Sequence, residues 1–236
     1  IFVRTDEERM DVMKAVITGP KGTPYGSGCF VFDIFFPATY PQDPPLVNLS
    51  TTGNGNFTAR VISYIHVIAG TARFNPNLYT DGKVCLSLLG TWHGDASSKW
   101  NATTSNLQQV LISIQGLIMV EEPYFNEPSY EAQRGTKEGD KRSHEYNENI
   151  QYNNIRFAMI EQLRNPPPGK YYKNSIDEVF ELTFCAEFAE VINLHFKLEK
   201  DAIIKQCEKW MKEASNDMKS KFARVIDELK KELAKL

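Results

Sequence analysis

The residues best placed to do chemistry lie between Arg73 and Trp92, in the stretch RFNPNLYTDGKVCLSLLGTW. It carries a cysteine, an asparagine amide and two turn signals in close succession. Asn75-Pro76-Asn77 reads as a tight turn, because the residue before a proline is pushed out of the α region. Asp81-Gly82 is a second turn signal. Between them Val84-Cys85-Leu86 is left as a short extended piece, with the cysteine displayed between two fixed loops. Asn77 lies eight residues before Cys85, close enough along the chain to fold back beside the sulfur. An amide there aims N–H dipoles where negative charge develops in acyl transfer, so the pair has the chemistry of a thiol nucleophile with an oxyanion donor. The competing reading is the usual fate of a free cysteine, burial as a small hydrophobe. A hydrolase of the Cys-His type would need an imidazole on the thiol. None of the 4 histidines is placed for that by spacing, His93 beside the cysteine loop included.

These residues need a frame to hold them. Met10 to Thr18 mixes apolar and polar residues as an extended segment does, and Gly19-Pro20 ends it. Gly28 to Pro37, GCFVFDIFFP, is rich in aromatic and β-branched residues and reads as a strand. Its even positions, Phe30, Phe32, Ile34 and Phe36, are expected to face the core. Prolines then forbid a central strand until Leu46-Val47-Asn48-Leu49, so the strands should form an antiparallel meander. Val61 to Ile68 is apolar and β-rich, and reads either as an extra strand or as a loop; His66 within it has no assigned role. Gly94 to Thr104 is an exposed loop. From Leu107 to Ile118 the apolar positions fall at helical spacing, with Ser105 as N-cap and Pro123 as the break. This helix is expected to cross behind the cysteine loop.

Glu131 to Arg142 reads as a solvated, charged loop, and Ser143 to Arg164 as a helix that Asn165 and Pro166-Pro167-Pro168-Gly169 end. Phe188 to Phe196 reads as a short helix. Asp201 to Leu236 is one long amphipathic helix, or two, with stripes through Ile203, Ile204, Cys207, Trp210 and Met211 and through Phe222, Val225, Ile226, Leu229, Leu233 and Leu236. Its first half is expected to pack on the core, and its second half to pack there too or to form a coiled-coil arm.

Composition bounds the function. The 236 residues are 42% hydrophobic and 24% charged, ordinary for a globular chain with one good-sized core and appendages. A net charge of −3 argues against nucleic acid or an anionic membrane as partner. The 4 cysteines, Cys29, Cys85, Cys185 and Cys207, are scattered, which fits reduced thiols in the cytosol better than a disulfide framework. Cys185, His195 and Cys207 are too widely spaced for a metal set and lack a fourth ligand. No signal peptide opens the chain and no apolar run reaches spanning length. The start at Ile1 reads as a piece cut from something longer.

Three segments, in order, carry a resemblance: GPKGTPYGSGCF, FPATYPQDPP and the NPN turn with its DGKVCLSLL run. Together they resemble the ubiquitin-conjugating enzymes. In that family a His-Pro-Asn turn stands before the catalytic cysteine; here Asn75 replaces the histidine, while Pro76 and Asn77 fit. The later segments TWHG, KWN, QVLISIQGLI and EPYFNEP are more particular. They resemble the conjugating domains of large members, of the inhibitor-of-apoptosis type, that combine conjugating and ligase activity.

The resemblance implies an α+β, UBC-like fold, an antiparallel meander sheet with helices packed behind it, plus extra C-terminal helices. It implies a conjugating core over residues 1–169, its N-terminal helix truncated, with an insertion at about 53–72, and a C-terminal helical extension over 170–236. A second insertion would span Lys170 to Phe188. It further implies that Cys85 is the nucleophile that carries ubiquitin as a thioester and that Asn77 stabilises the oxyanion. Glu127, in Asn126-Glu127-Pro128, is the candidate acid that orients the incoming lysine, with Asn126 as the neighbour that could hold the position instead and Glu121 and Glu122 as weaker choices. No metal or organic cofactor is implied. Implied partners are ubiquitin, the ubiquitin-activating enzyme and protein substrates with acceptor lysines, in the cytoplasm, with no nucleic acid and no membrane. Apoptosis regulators are the implied targets. The alternative within the same fold is a non-catalytic ubiquitin-binding scaffold.

Overall fold

The structure is a computed structural model, and it describes residues 1–5, 9–51, 72–92, 94–167, 170–174, 179–183 and 187–236. The readings on Val61–Ile68, His66, His93 and Cys185, and nearly all of the 53–72 insertion, lie outside these residues.

Four strands, β1 (Phe2–Thr5), β2 (Val12–Thr18), β3 (Cys29–Phe35) and β4 (Leu46–Leu49), pair antiparallel in chain order. The register sets Ala15 opposite Phe32 and Ile17 opposite Phe30. Successive side chains of a strand point to opposite faces, and here both faces are buried. Ala15, Ile17, Phe30, Phe32 and Ile34 lie in one apolar cluster with Phe74, Leu78, Val84, Val110 and Ile114. Val16, Cys29 and Val31 lie in a second with Ile155, Met159, Phe196, Cys207, Phe222 and Leu229. The even positions of β3 therefore face a core as expected, and the odd ones face another. Antiparallel sheets commonly leave one face in water; this one does not. Even Lys14 is fully buried there, its ammonium ion-paired with Asp33, which also accepts from Ser50. Burial pulls the Lys14 pKa down, and the Asp33 carboxylate works against that shift.

The first face is sealed by α1 (Leu107–Ser113) and the π turn that continues it, Ile114–Ile118. Its cap is Asn106, not Ser105. Asn106 Oδ1 accepts from the Gln109 N–H at 3.0 Å, and Gln109 Oε1 accepts from the Asn106 N–H at 3.1 Å, a complete capping box. Ser105 instead accepts the Asn101 N–H at 3.0 Å, which closes the preceding turn.

After α2 (Pro128–Glu131) the helix α3 spans Lys137–Asn153, so much of the expected Glu131–Arg142 loop is helical. Thr136 caps it by accepting the Gly139 N–H at 3.0 Å, and Glu138 and Asp140 suit its positive end. Gly139 is there for space, since a Cβ at that position would sit 2.1 Å from the Gln133 carbonyl oxygen. The rod continues as a π segment, Asn154–Ile160, and α4, Glu161–Arg164. At the junction Asn154 is fully buried and donates to Pro24 O at 3.0 Å and Gly26 O at 3.2 Å, fixing the rod to the β2–β3 loop.

Lys170–Asn174 (β5) and Val179–Thr183 (β6) pair as an antiparallel two-stranded sheet. The expected short helix at Phe188–Phe196 is instead the start of one continuous helix, α5 (Glu187–Glu213). Nothing in Lys197–Lys200 breaks it, since these residues are good helix formers. Helix α6 (Asn216–Leu233) follows, and its apolar stripe from Phe222 to Leu233 is buried in the second cluster, so it is a packed helix and no coiled-coil arm; Leu236, expected on the same stripe, lies past the helix end and is exposed. The turn between α5 and α6 is tied to α3: the buried Glu148 carboxylate accepts from the Ser215 N–H and from Ser215 Oγ at 2.8 Å.

Candidate active site

The turn at Asn75-Pro76-Asn77 is built from the inside. Asn75 is fully buried, and its amide makes bonds in several directions. Nδ2 donates to Tyr25 Oη at 3.0 Å and to Ile118 O at 2.8 Å, while Oδ1 accepts the Asn77 N–H at 2.8 Å. Tyr25 in turn donates to Phe74 O at 2.6 Å, and burial raises its pKa well above the ordinary phenol value. One side chain thus joins the cysteine loop, the β2–β3 loop and the end of the helix behind the site. Where the resembled family has histidine, a shorter amide closes the same kind of turn. The sequence places Asn75 in a tight turn before Pro76, but its partners Tyr25 and Ile118 lie far along the chain and only the fold brings them together.

From this turn the chain runs to the cysteine and pairs back on itself. Cys85 donates its N–H to Asn77 O at 2.8 Å, and Leu78 bridges Val84. Gly82 makes the return with φ of 86°, and its carbonyl accepts the Leu49 N–H at 2.7 Å, seating the loop on β4. A Cβ at Gly82 would meet Asn48 Oδ1 at 2.3 Å, so only glycine fits. Beyond the cysteine, Thr91 Oγ1 accepts the Leu86 N–H at 3.0 Å and donates to Val84 O at 2.7 Å. Both backbone neighbours of Cys85 are thereby held.

Two details differ from the sequence reading. Cys85 is not displayed: the residue is 3% exposed. It nevertheless belongs to neither apolar cluster, whereas Val84 and Leu86 are both in the first. In an extended piece alternate side chains take opposite sides, so two neighbours that turn inward send Cys85 the other way. Secondly, the Asn77 amide is held on the backbone of the cysteine and not on its sulfur, with Nδ2 donating to Cys85 O at 2.9 Å. Asn77 Oδ1 is buried with no partner among the described residues.

Glu127 opens α2 as its N-cap residue and is half-buried, with its N–H on Tyr124 O at 3.4 Å. Its carboxylate acts electrostatically on Tyr146, as does the Arg73 guanidinium of the cysteine loop. The Tyr146 pKa is pushed up to about 12, mainly by burial, with Arg73 opposing and Tyr130 and Glu127 adding to the rise. Asn126, the neighbouring candidate, is tied to the turn itself: Nδ2 donates to Leu117 O at 3.1 Å and reaches Asn75 Oδ1 at 3.5 Å. Glu122 is engaged elsewhere, in an ion pair with Arg134 at 2.7 Å, and Glu121 is exposed. Trp92 is half-buried.

The other described thiols are placed differently. Cys29 and Cys207 lie inside the second cluster. Burial raises both pKa values, that of Cys207 to about 12, which leaves essentially no thiolate at neutral pH. His195 Nε2 sits 2.9 Å from Ser27 O, and no three metal-ligating side chains converge among the described residues.

A family-wide sequence comparison matches residues 2–154 to the family described as "Ubiquitin-conjugating enzyme". The human dual E2 ubiquitin-conjugating enzyme/E3 ubiquitin-protein ligase BIRC6 is 50% identical over 211 residues, 89% of this chain and 4% of that protein. The probable ubiquitin-conjugating enzyme protein 17 of Caenorhabditis elegans is 45% identical over 92% of this chain and 25% of that protein. The chain thus spans a small part of both of these relatives. The structure of human ubiquitin-conjugating enzyme E2 G1 aligns with 50% of this chain and 77% of its own at a TM-score of 0.37 and 22% identity, too distant to bear on the site. The family match over the sheet, the cysteine loop and all of α3, with 50% identity along nearly the whole chain, places this protein in the ubiquitin-conjugating enzyme family.

Proposed function

We propose that Cys85 carries ubiquitin as a thioester and passes it to a substrate lysine. In the first step Cys85 Sγ attacks the thioester carbonyl of ubiquitin held on its activating enzyme. The new C–S bond forms as the old one breaks, and the activating enzyme's thiol leaves. In the second step a lysine amine attacks the Cys85 thioester, the amide bond forms, and Cys85 leaves as thiolate. No organic cofactor or metal takes part in either step.

The observation that carries this reading is the pairing of Asn77 with Cys85. An amide nitrogen has two N–H donors. Asn77 uses one on Cys85 O at 2.9 Å. The other, which no described residue accepts, is the group we assign to the oxyanion of an acyl chain on Sγ, a stabilisation of about 10²–10³ in rate where such donors have been removed. Glu127 is assigned to the lysine. A free lysine has a pKa of about 10.4, so a nearby carboxylate helps only by orienting the amine and drawing off its proton as attack begins.

The name of the human relative joins conjugating and ligase activities, and we read this chain as the conjugating part of such a larger protein. A cytoplasmic site and a part in apoptosis follow from that reading alone. A second reading, a ubiquitin-binding scaffold of the same fold, is favoured by the 3% exposure of Cys85. Incubation with ubiquitin, its activating enzyme and ATP separates the two on a non-reducing gel. The first reading expects an adduct that thiol reductant removes and that Cys85→Ala abolishes, with Asn77→Ala still loading but discharging onto free lysine about a hundredfold slower. Absence of any adduct, together with retained ubiquitin binding, would establish the scaffold. Parallel lanes with ubiquitin-like modifiers decide which modifier is carried.

A further inference from the structure

A cleft of about 580 Å³ lies between the last turns of the α3–α4 rod and α6. Apart from Tyr152, its lining lies beyond residue 154, where the family match ends. Its floor is apolar, formed by Phe157, Ile160 and Val225, each of them buried. Its walls carry four cations and two carboxylates, and these are unequally matched. Arg164 is neutralised by Glu228 at 2.7 Å and by Glu232 at 2.8 Å. Arg156 stacks over the Phe157 ring, 4.9 Å from its centre, and offsets Glu161, whose carboxyl pKa burial raises.

That leaves Lys221 and Arg224. Both are exposed, both line the cleft, and neither has an ion-pair partner among the described residues. Three residues apart on α6, they stand on one helix face. The cleft therefore offers two uncompensated positive charges beside an apolar floor.

We propose that this cleft binds an acidic linear segment of a partner protein, which sets two carboxylates against Lys221 and Arg224 and an apolar side chain on the Phe157–Ile160–Val225 floor. The choice of peptide follows from the charges. A polyanionic strand of nucleic acid needs more cations than two, and the chain as a whole has net charge −3. A short acidic-apolar peptide needs only two cations and the floor. The site is separate from Cys85 chemistry, and it stands or falls whether or not Cys85 accepts ubiquitin.

The test uses the full chain and a fluorescein-labelled peptide in which glutamates alternate with leucines, followed by anisotropy. Saturable binding is expected, weakened by added salt. Replacing the leucines with serines, or the glutamates with lysines, should each weaken it about tenfold or more, since each removes one half of the match. The double variant Lys221→Glu, Arg224→Glu should do the same. Because both positions are exposed its melting temperature should be unchanged, and the neutral pair Lys221→Gln, Arg224→Gln should fall between. Failure of the wild-type chain to saturate overturns the proposal. So does equal affinity in the charge-reversed variant, or equal affinity for the serine peptide, which would reduce the effect to diffuse attraction. Displacement of the peptide by a single-stranded oligonucleotide would overturn it in favour of nucleic acid.

Discussion

The two faces of the one sheet are buried by different kinds of partner. The face formed by Ala15, Ile17, Phe30 and Phe32 is covered by the cysteine loop through Phe74, Leu78 and Val84, by α1, and by Ile150, Phe157 and Ala158 of the α3 rod. The face formed by Val16, Cys29 and Val31 is covered by the end of the α3 rod and by α5 and α6, from far along the chain. A cysteine buried on the second face is a packing residue with a raised pKa; Cys85 is buried without joining either cluster. The difference teaches that burial alone does not assign a thiol its role. The hydrogen bonds around Cys85 differ too, since Asn77 holds both its backbone N–H and its carbonyl.

If the second face is a stability module, its aromatic anchors should cost much and loading little. Phe222→Ala removes a fully buried ring and should lower unfolding free energy by about 3–5 kcal/mol. In a temperature range where the variant stays folded, its rate of thioester formation should match the wild type. A proportionate loss of loading would show that the faces are coupled and would break the comparison.

On the first face the balance should reverse. Asn75→Ala removes the bonds to Tyr25, Ile118 and Asn77 and leaves a buried carbonyl unpaired. We expect about 2–3 kcal/mol of lost stability, and beyond that a slower loading rate at saturating ubiquitin, read in single-turnover kinetics. Asn75→His, the residue type of the resembled turn, should recover loading; if the larger ring restores neither rate nor stability, the turn is closed differently here.

A smaller effect sharpens the tie between the module and α3. Glu148→Gln keeps the shape but weakens acceptance from the Ser215 N–H and Oγ. The expected cost is about 1–2 kcal/mol, measured by urea unfolding with an unchanged slope.

The smallest effect is set by pH. Hydrogen bonds from Lys235 and then Arg164 hold the Glu232 pKa below its ordinary value of 4.5. A carboxylate depressed in the folded state contributes stability above its unfolded pKa and loses it as pH falls through the folded one. Glu232→Gln should therefore be slightly less stable than wild type at neutral pH, and the gap should close on acidification below 4.5. A gap that persists in strong acid would assign the loss to packing.

Much of the frame was legible along the chain. Alternation in GCFVFDIFFP located β3, and the spacing from Leu107 to Ile118 located α1 with its π turn. The errors have physical causes. Ser105 and Asn106 are both good caps, and only the reciprocal bond with Gln109 decides between them. The charged, glycine-containing run before Ser143 resembled a loop, yet Thr136 caps a helix there, and Gly139 is in it because nothing larger clears the Gln133 carbonyl. The stripe on α6 was plain, but whether it met a partner or its own sheet was not. Glu127 and Asn126 are adjacent and both polar, and only the folded chain shows that the Asn126 amide reaches Asn75 of the turn.

By itself the sequence determined the local conformations, because prolines, glycines and apolar spacing act over a few residues. It also determined which thiol is preceded by an amide turn. Tertiary structure decided what those local pieces touch. It made Asn75 a hub, hid Cys85, set Asn77 on a backbone carbonyl and brought Lys221 and Arg224 beside Phe157. Those outcomes depend on contacts between residues far apart in the chain, and such contacts exist only once both sheet faces have closed.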